Sequence, residues 1–144
     1  MALKHQAMLA VIAFTTLTSV SAWAQTNVLE PQQQGGIPFV TGGIGKDESA
    51  ELQATQHNYN LNILNADKTG HYLDGTRIVI SDLKHNALLD SMSGPLFYAT
   101  LPKGHYIVEG FNAEQSKKQS ITITSGKSTR VRFVWPDDMT VTAN

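Results

Sequence analysis

The segment "NYNLNIL", residues 58–64, alternates strictly: Tyr59, Leu61 and Ile63 fall on one face, Asn58, Asn60 and Asn62 on the other. A period of two is the mark of a strand laid on a core, because successive strand side chains point to opposite sides. Similar short runs follow at near-regular intervals: "TRIVIS", "ALLDS", "LFYATL", "HYIVEGF", "SITIT" and "STRVRFVW". Between them lie turn signals, "NADKTG", "DLKHN", Gly94-Pro95, "PKG" and "SGK". This spacing predicts an all-β, seven-stranded antiparallel sandwich with Greek-key links. No helical pattern separates the strands, which argues against parallel βαβ units. Pro102 and Gly104 suit a tight hairpin, and "SITIT" with "STRVRFVW" reads as a final one. In that pair Ile121 and Ile123 lie across from Val131, Phe133 and Trp135, and Pro136 ends the ladder.

The N-terminus has a different logic. Lys4 and His5 precede the apolar run "AMLAVIAF", and small residues stand at Ala22 and Ala24. That order predicts a signal peptide over residues 1–24, cut between Ala24 and Gln25. The run is far short of the roughly 20 residues that span a bilayer. Once Lys4 is removed, 10 basic residues face 12 acidic ones, a net charge of -2. Such a balance speaks against nucleic acid or anionic membrane as a general partner. The chain has no cysteine, so disulfides, thiolate ligands and cysteine nucleophiles are excluded. An exported domain of this kind suits a bacterial periplasm and must hold itself together by core packing.

Residues 25–43, rich in Gln, Gly and Pro, read as a flexible or extended leader in which "IPFV" can dock as a short edge strand. Residues 44–57 read as a short helix, with Asp47 as N-cap and Glu48 and Glu51 complementing the helix dipole. Residues 58–136 hold the sandwich, and 137–144 form a tail that opens with Asp137 and Asp138.

The stretch "GPLFYATLPKGHYIVEGFNAEQSKKQSITITSGKSTRVRFVW", residues 94–135, resembles the carboxypeptidase regulatory-like domain, a prealbumin-like (transthyretin-like) sandwich. The likeness rests on a Gly before an aromatic strand, on "LPKGHY" where the family has Leu-Pro-Pro-Gly-x-Tyr, and on a Ser-Gly turn in the last hairpin. "LDGTRIVISD" matches the small-residue strand opening usual there. "GGIGKDESAELQATQHNYNL" together with "FVWP" is similar to a group of small exported proteobacterial proteins built on this domain. The resemblance implies a non-catalytic accessory or binding module, an inference from fold alone.

Four chemistries were weighed against the residues. "TGGIGKDES" suggests a phosphate loop, but Asp47 stands where magnesium needs a hydroxyl, and Val40 stands where the first Gly belongs. No nucleotide is therefore expected, and Gly42 to Gly45 read as a bend. His57, His71, His85 and His105 are candidate metal ligands, yet no two have the spacing of a strand or helix pair. A periplasmic metal-binding protein is the runner-up function. A hydrolase on a transthyretin-like sandwich comes third. The chain ends "TVTAN" rather than Tyr-Arg-Gly-Ser, and no Gly-x-Ser-x-Gly elbow is present. No catalytic residue, cofactor or metal site is assigned. The last chemistry is surface recognition: Arg130 and Arg132 on an outward face, flanked by Lys117 and Lys118 of an adjoining strand, with Tyr98 turned away from Phe97 and Ala99. These residues form the expected partner surface, for a protein or an envelope polymer. Tyr98 equally suits covering a second face, and the two arginines equally suit keeping a strand edge soluble.

Overall fold

The computed structural model describes residues 29–136. The signal segment with Ala24 and Gln25, and the tail with Asp137 and Asp138, lie outside the described residues. The chain runs β1 (Gln32–Gln34), β2 (Ile37–Gly42), helix α1 (Lys46–Ala54), a 3₁₀ turn (Gln56–Asn58), β3 (Leu61–Asp67), β4 (Thr76–Asp82) and β5 (Ala87–Ser93). It continues through β6 (Leu96–Ala99), β7 (Gly104–Asn112), β8 (Gln115–Ile123) and β9 (Thr129–Trp135). The strands form a five-stranded sheet, β1-β2-β6-β3-β9, and a four-stranded sheet, β5-β4-β7-β8.

The two sheets face each other across one core. Phe39, Leu61, Ile63, Phe97, Val131, Phe133 and Trp135 come from the first sheet, and Ile78, Ile80, Leu89, Val108, Ile121 and Ile123 from the second. Phe39 stacks on Phe97 with ring centroids 5.3 Å apart, and Phe133 meets Trp135 at 6.0 Å. Each such side chain contributes roughly 1.5–3 kcal/mol when fully buried. This is an all-β sandwich; Leu61 and Ile63 point into its core as alternation predicts, but Tyr59, expected on their face, packs instead against Tyr98 on the outer side.

Three expectations are corrected. The described residues form nine strands, not seven, because residues 32–42, which read as leader, form a hairpin. Gln34 pairs with Ile37 around Gly35 and Gly36, both at positive φ, the two-residue turn that Gly-Gly favours. As a result "IPFV" lies one strand in from the edge, between β1 and β6. The sandwich is not wholly antiparallel either, since β3 and β9 run parallel through a register from Leu61↔Thr129 to Asp67↔Trp135. Finally, "PKG" and "SGK" do not close hairpins. Each passes the chain from one sheet to the other, so Ile121 and Ile123 meet Val131 and Phe133 across the core rather than along a ladder. The Tyr106 hydroxyl donates to the Pro102 carbonyl at 2.6 Å and pins the first of these corners.

The glycine joint has a packing cause. Gly94, which precedes β6, passes the backbone of Gly42 so closely that a Cβ would lie 2.8 Å from the Gly42 Cα. Beyond it the helix is capped differently from expectation. Gly45 is the N-cap and offers no side chain, and Asp47 sits inside the first turn. Glu48 reaches back instead, its Oε1 accepting the Gly43 N–H at 2.9 Å. Gly94→Ala is predicted to cost about 1–3 kcal/mol in urea unfolding through overpacking. Gly45→Ala, with nothing within 4 Å of its Cβ, is predicted to cost less than about 1 kcal/mol.

Candidate functional site

The outer face of the five-stranded sheet is built in rows fixed by strand register. One row runs Val40, Tyr98, Asn62, Arg130 across β2, β6, β3 and β9. The next runs Gly42, Leu96, Leu64, Arg132. Over the β2 and β6 end of these rows lies α1, whose Leu52 packs with Val40, Leu96 and Tyr98 in a second small core, with Tyr59 and Leu64 against it. The β3 and β9 end stays uncovered, and the step between them is a cleft of about 310 Å³.

The cleft has a graded lining. Leu64 and Leu96 lie on its floor with Asn62 and Tyr98, Gln53 and Gln56 come from the helical wall, Tyr72 stands at one end, and Arg130 and Arg132 form the β9 rim. Tyr98, expected as an outward contact, is only 3% exposed, because the helix covers its ring. Its hydroxyl is raised above the ordinary phenol pKa, first by burial and then by the neighbouring Tyr72, while Arg130 pulls it down. Tyr98, Arg130 and Arg132 are therefore brought to one place. Lys117 and Lys118 are not, since β8 belongs to the other sheet, where Lys117 sits 5.8 Å above the Trp135 ring.

Tyr72 is held from two sides. It bridges to Ala66, and its hydroxyl accepts a hydrogen bond from Gln53 Nε2 at 3.1 Å. The loop that carries it is tied by Asp67, whose Oδ1 accepts from the Thr69 hydroxyl at 2.6 Å and from the Thr69 and His71 amides at 2.9 Å. The Thr69 hydroxyl leads the causes that lower the Asp67 pKa to about 2, and burial opposes them.

Asn62 is the residue that sequence reasoning missed. Alternation places it with Asn58 and Asn60 on the face opposite Leu61 and Ile63, but Asn60 and Asn62 behave differently. Asn60 mimics a backbone, with Nδ2 donating to the Leu101 carbonyl at 2.8 Å and Oδ1 accepting the Leu101 N–H at 2.9 Å. Asn62 is 8% exposed, and its Oδ1 receives no hydrogen bond from the protein. An unsatisfied buried acceptor is uncommon and costly, and here it sits in the wall of a cleft. Alternation supplies the face of Asn62 but not its burial.

Among the described residues no carboxylate pairs with Arg130 or Arg132. No three His, Asp or Glu side chains gather in metal-binding geometry among the described residues. His57 lies in the 3₁₀ turn, His85 in the β4–β5 turn at φ 65°, His71 beside Asp67 at 3.2 Å, and His105 beside Thr122 at 3.0 Å. At the glycine joint, the hollow beside α1 is lined by one cation, Lys46, against four carboxylates, Glu30, Asp47, Glu48 and Glu51, a balance unfavourable to phosphate. No described helix is long and apolar enough to cross a membrane. The chain matches no protein-family model and no curated protein sequence.

Two outcomes are predicted. Asn62→Leu removes the unsatisfied acceptor and is expected to raise stability by about 1 kcal/mol in urea unfolding. For Asp67, a depressed pKa means that its ties are intact above the ordinary carboxylate range and lost as pH falls toward 2. The Thr69 and His71 amide resonances should therefore titrate with a midpoint near 2 and not near about 4.

Proposed function

We propose that this protein is an exported, non-enzymatic recognition module of the cell envelope, and that it engages an acidic partner through the cleft between α1 and β9. The observation that carries this reading is the meeting of two arginines that pair with no carboxylate of the described residues and a buried asparagine acceptor in one concavity. Concave sites with a few convergent polar groups are the usual place for ligand binding. A guanidinium that makes no internal ion pair is available to a carboxylate, and two of them select against cations. The finer fold reading belongs here too: a prealbumin-like sandwich of the carboxypeptidase regulatory-like kind, enlarged by the β1–β2 hairpin. Periplasmic location rests on the sequence of residues 1–24 and on the absence of cysteine.

The test pairs a charge reversal with a stability control. Arg130→Glu with Arg132→Glu leaves unfolding free energy within about 0.5 kcal/mol, because both side chains are exposed. Immobilised protein should retain acidic envelope material, and the double variant should retain at least tenfold less. Equal retention by the two proteins removes the cleft as the recognition surface. In an export experiment the periplasmic chain should begin at Gln25, as read by N-terminal mass spectrometry.

A further inference from the structure

We infer that the ligand of this cleft is an acidic saccharide: a pyranose ring that carries a carboxylate, of the uronic acid type. The inference rests on the recognition reading above and names its ligand class.

Each group in the cleft has its own hydrogen-bonding requirement. Arg130 and Arg132 are donors only, and no carboxylate of the described residues faces them, so the ligand supplies the negative charge. Asn62 lines the cleft and its buried Oδ1 is an acceptor only, so a ligand that reaches it must also supply a donor. Inorganic phosphate, chiefly an acceptor, satisfies the arginines poorly matched to Asn62 and leaves the buried amide oxygen under-served. A free amino acid supplies a donor, but its ammonium would enter a site lined by two guanidinium groups and by no carboxylate of the described residues. A hydroxyl next to a carboxylate meets both demands without a second charge.

The rest of the lining points the same way. Gln53, Gln56 and Tyr72 each both donate and accept, as sugar hydroxyls do. Tyr72 is 42% exposed, and together with Leu64 and Leu96 it gives the C–H faces of a ring an apolar surface. A volume of about 310 Å³ is at the low end for small-molecule sites. That size favours a single ring over a folded peptide.

The experiment is an amide-resonance titration of the ¹⁵N-labelled protein with glucuronate, galacturonate, oligo-uronates, glucose, acetate, phosphate and an acidic peptide. Uronates should shift the Asn62, Tyr72 and Arg130 resonances, with glucose and acetate each at least tenfold weaker. Asn62→Leu should abolish the preference of uronate over acetate, and Arg130→Gln should weaken uronate without strengthening glucose. Oligo-uronate binding at least tenfold tighter than the monosaccharides identifies a polymer as the source, and equal affinity identifies a free acid sugar. If acetate and phosphate match the uronates, the cleft is a plain anion patch and the saccharide inference is wrong while the recognition reading stands. Binding of the acidic peptide without uronate has the same consequence. If no probe moves these resonances and the charge-reversed protein retains as much envelope material as wild type, both readings fall together.

Discussion

The parallel pairing of β3 with β9 is the contact on which the rest of the molecule depends. β3 is hydrogen-bonded to β6 on its other side, so it is interior to its sheet and both its faces are used. Leu61 and Ile63 enter the main core, while Asn62 and Leu64 form the floor of the cleft. Without β9 beside it, the rows that end in Arg130 and Arg132 would have no rim. The partners are far apart in sequence, and the chain visits the second sheet for β4, β5, β7 and β8 before closing the pair. A closure of this kind is entropically slow and late in folding.

At the far end of β3 the same strand ties the sheets together with polar groups. Asn65 is fully buried, and its Nδ2 lies 3.3 Å from the Gly94 carbonyl and 3.4 Å from the Ser93 hydroxyl. Trp135 Nε1 donates to its Oδ1 at 3.4 Å. Thr41 extends the cluster, its hydroxyl donating to the Leu96 carbonyl at 2.8 Å and accepting the Gly94 N–H at 2.8 Å. Satisfied networks of this sort fix a unique arrangement of strands, because any slip leaves several buried groups unpaired. Three asparagines in or next to β3 thus do three jobs: Asn60, just before the strand, clamps a loop, Asn65 fixes register, and Asn62 keeps a buried, unsatisfied acceptor beneath the cleft.

Much of the fold was legible in the sequence, for a physical reason. Alternation depends only on the chain's own period, so the inward residues of β3, β4, β7 and β9 could be named without knowing their neighbours. The hairpin of β1 and β2 was harder, since Gln32, Gln33 and Gln34 show no alternation and only Gly35-Gly36 between them and "IPFV" signals a turn. Turn chemistry is equally local, so a corner between sheets and a hairpin within one sheet share the same Pro-Lys-Gly. The site was half legible: the outward face of Arg130 and Arg132 follows from period, but their neighbours Tyr72 and Gln53 come from distant segments. Asn62 looked like Asn58 and Asn60 because period assigns a face and not the degree of burial on it.

Helix α1 is the least anchored part of the cleft. Leu52 is its one buried residue, while the strands opposite bury several each. Lifting it uncovers Leu52 and its partners Val40, Leu96 and Tyr98 and breaks the Gln53–Tyr72 and Glu48–Gly43 bonds, which still costs less than the loss of the whole core. Protection from hydrogen exchange should accordingly fall in two tiers, with α1 opening sub-globally and β3 exchanging only with the entire sandwich. The floor of the cleft is then rigid and its wall adjustable, so the aperture can widen for larger ligands while the row of Tyr98, Asn62 and Arg130 keeps its spacing.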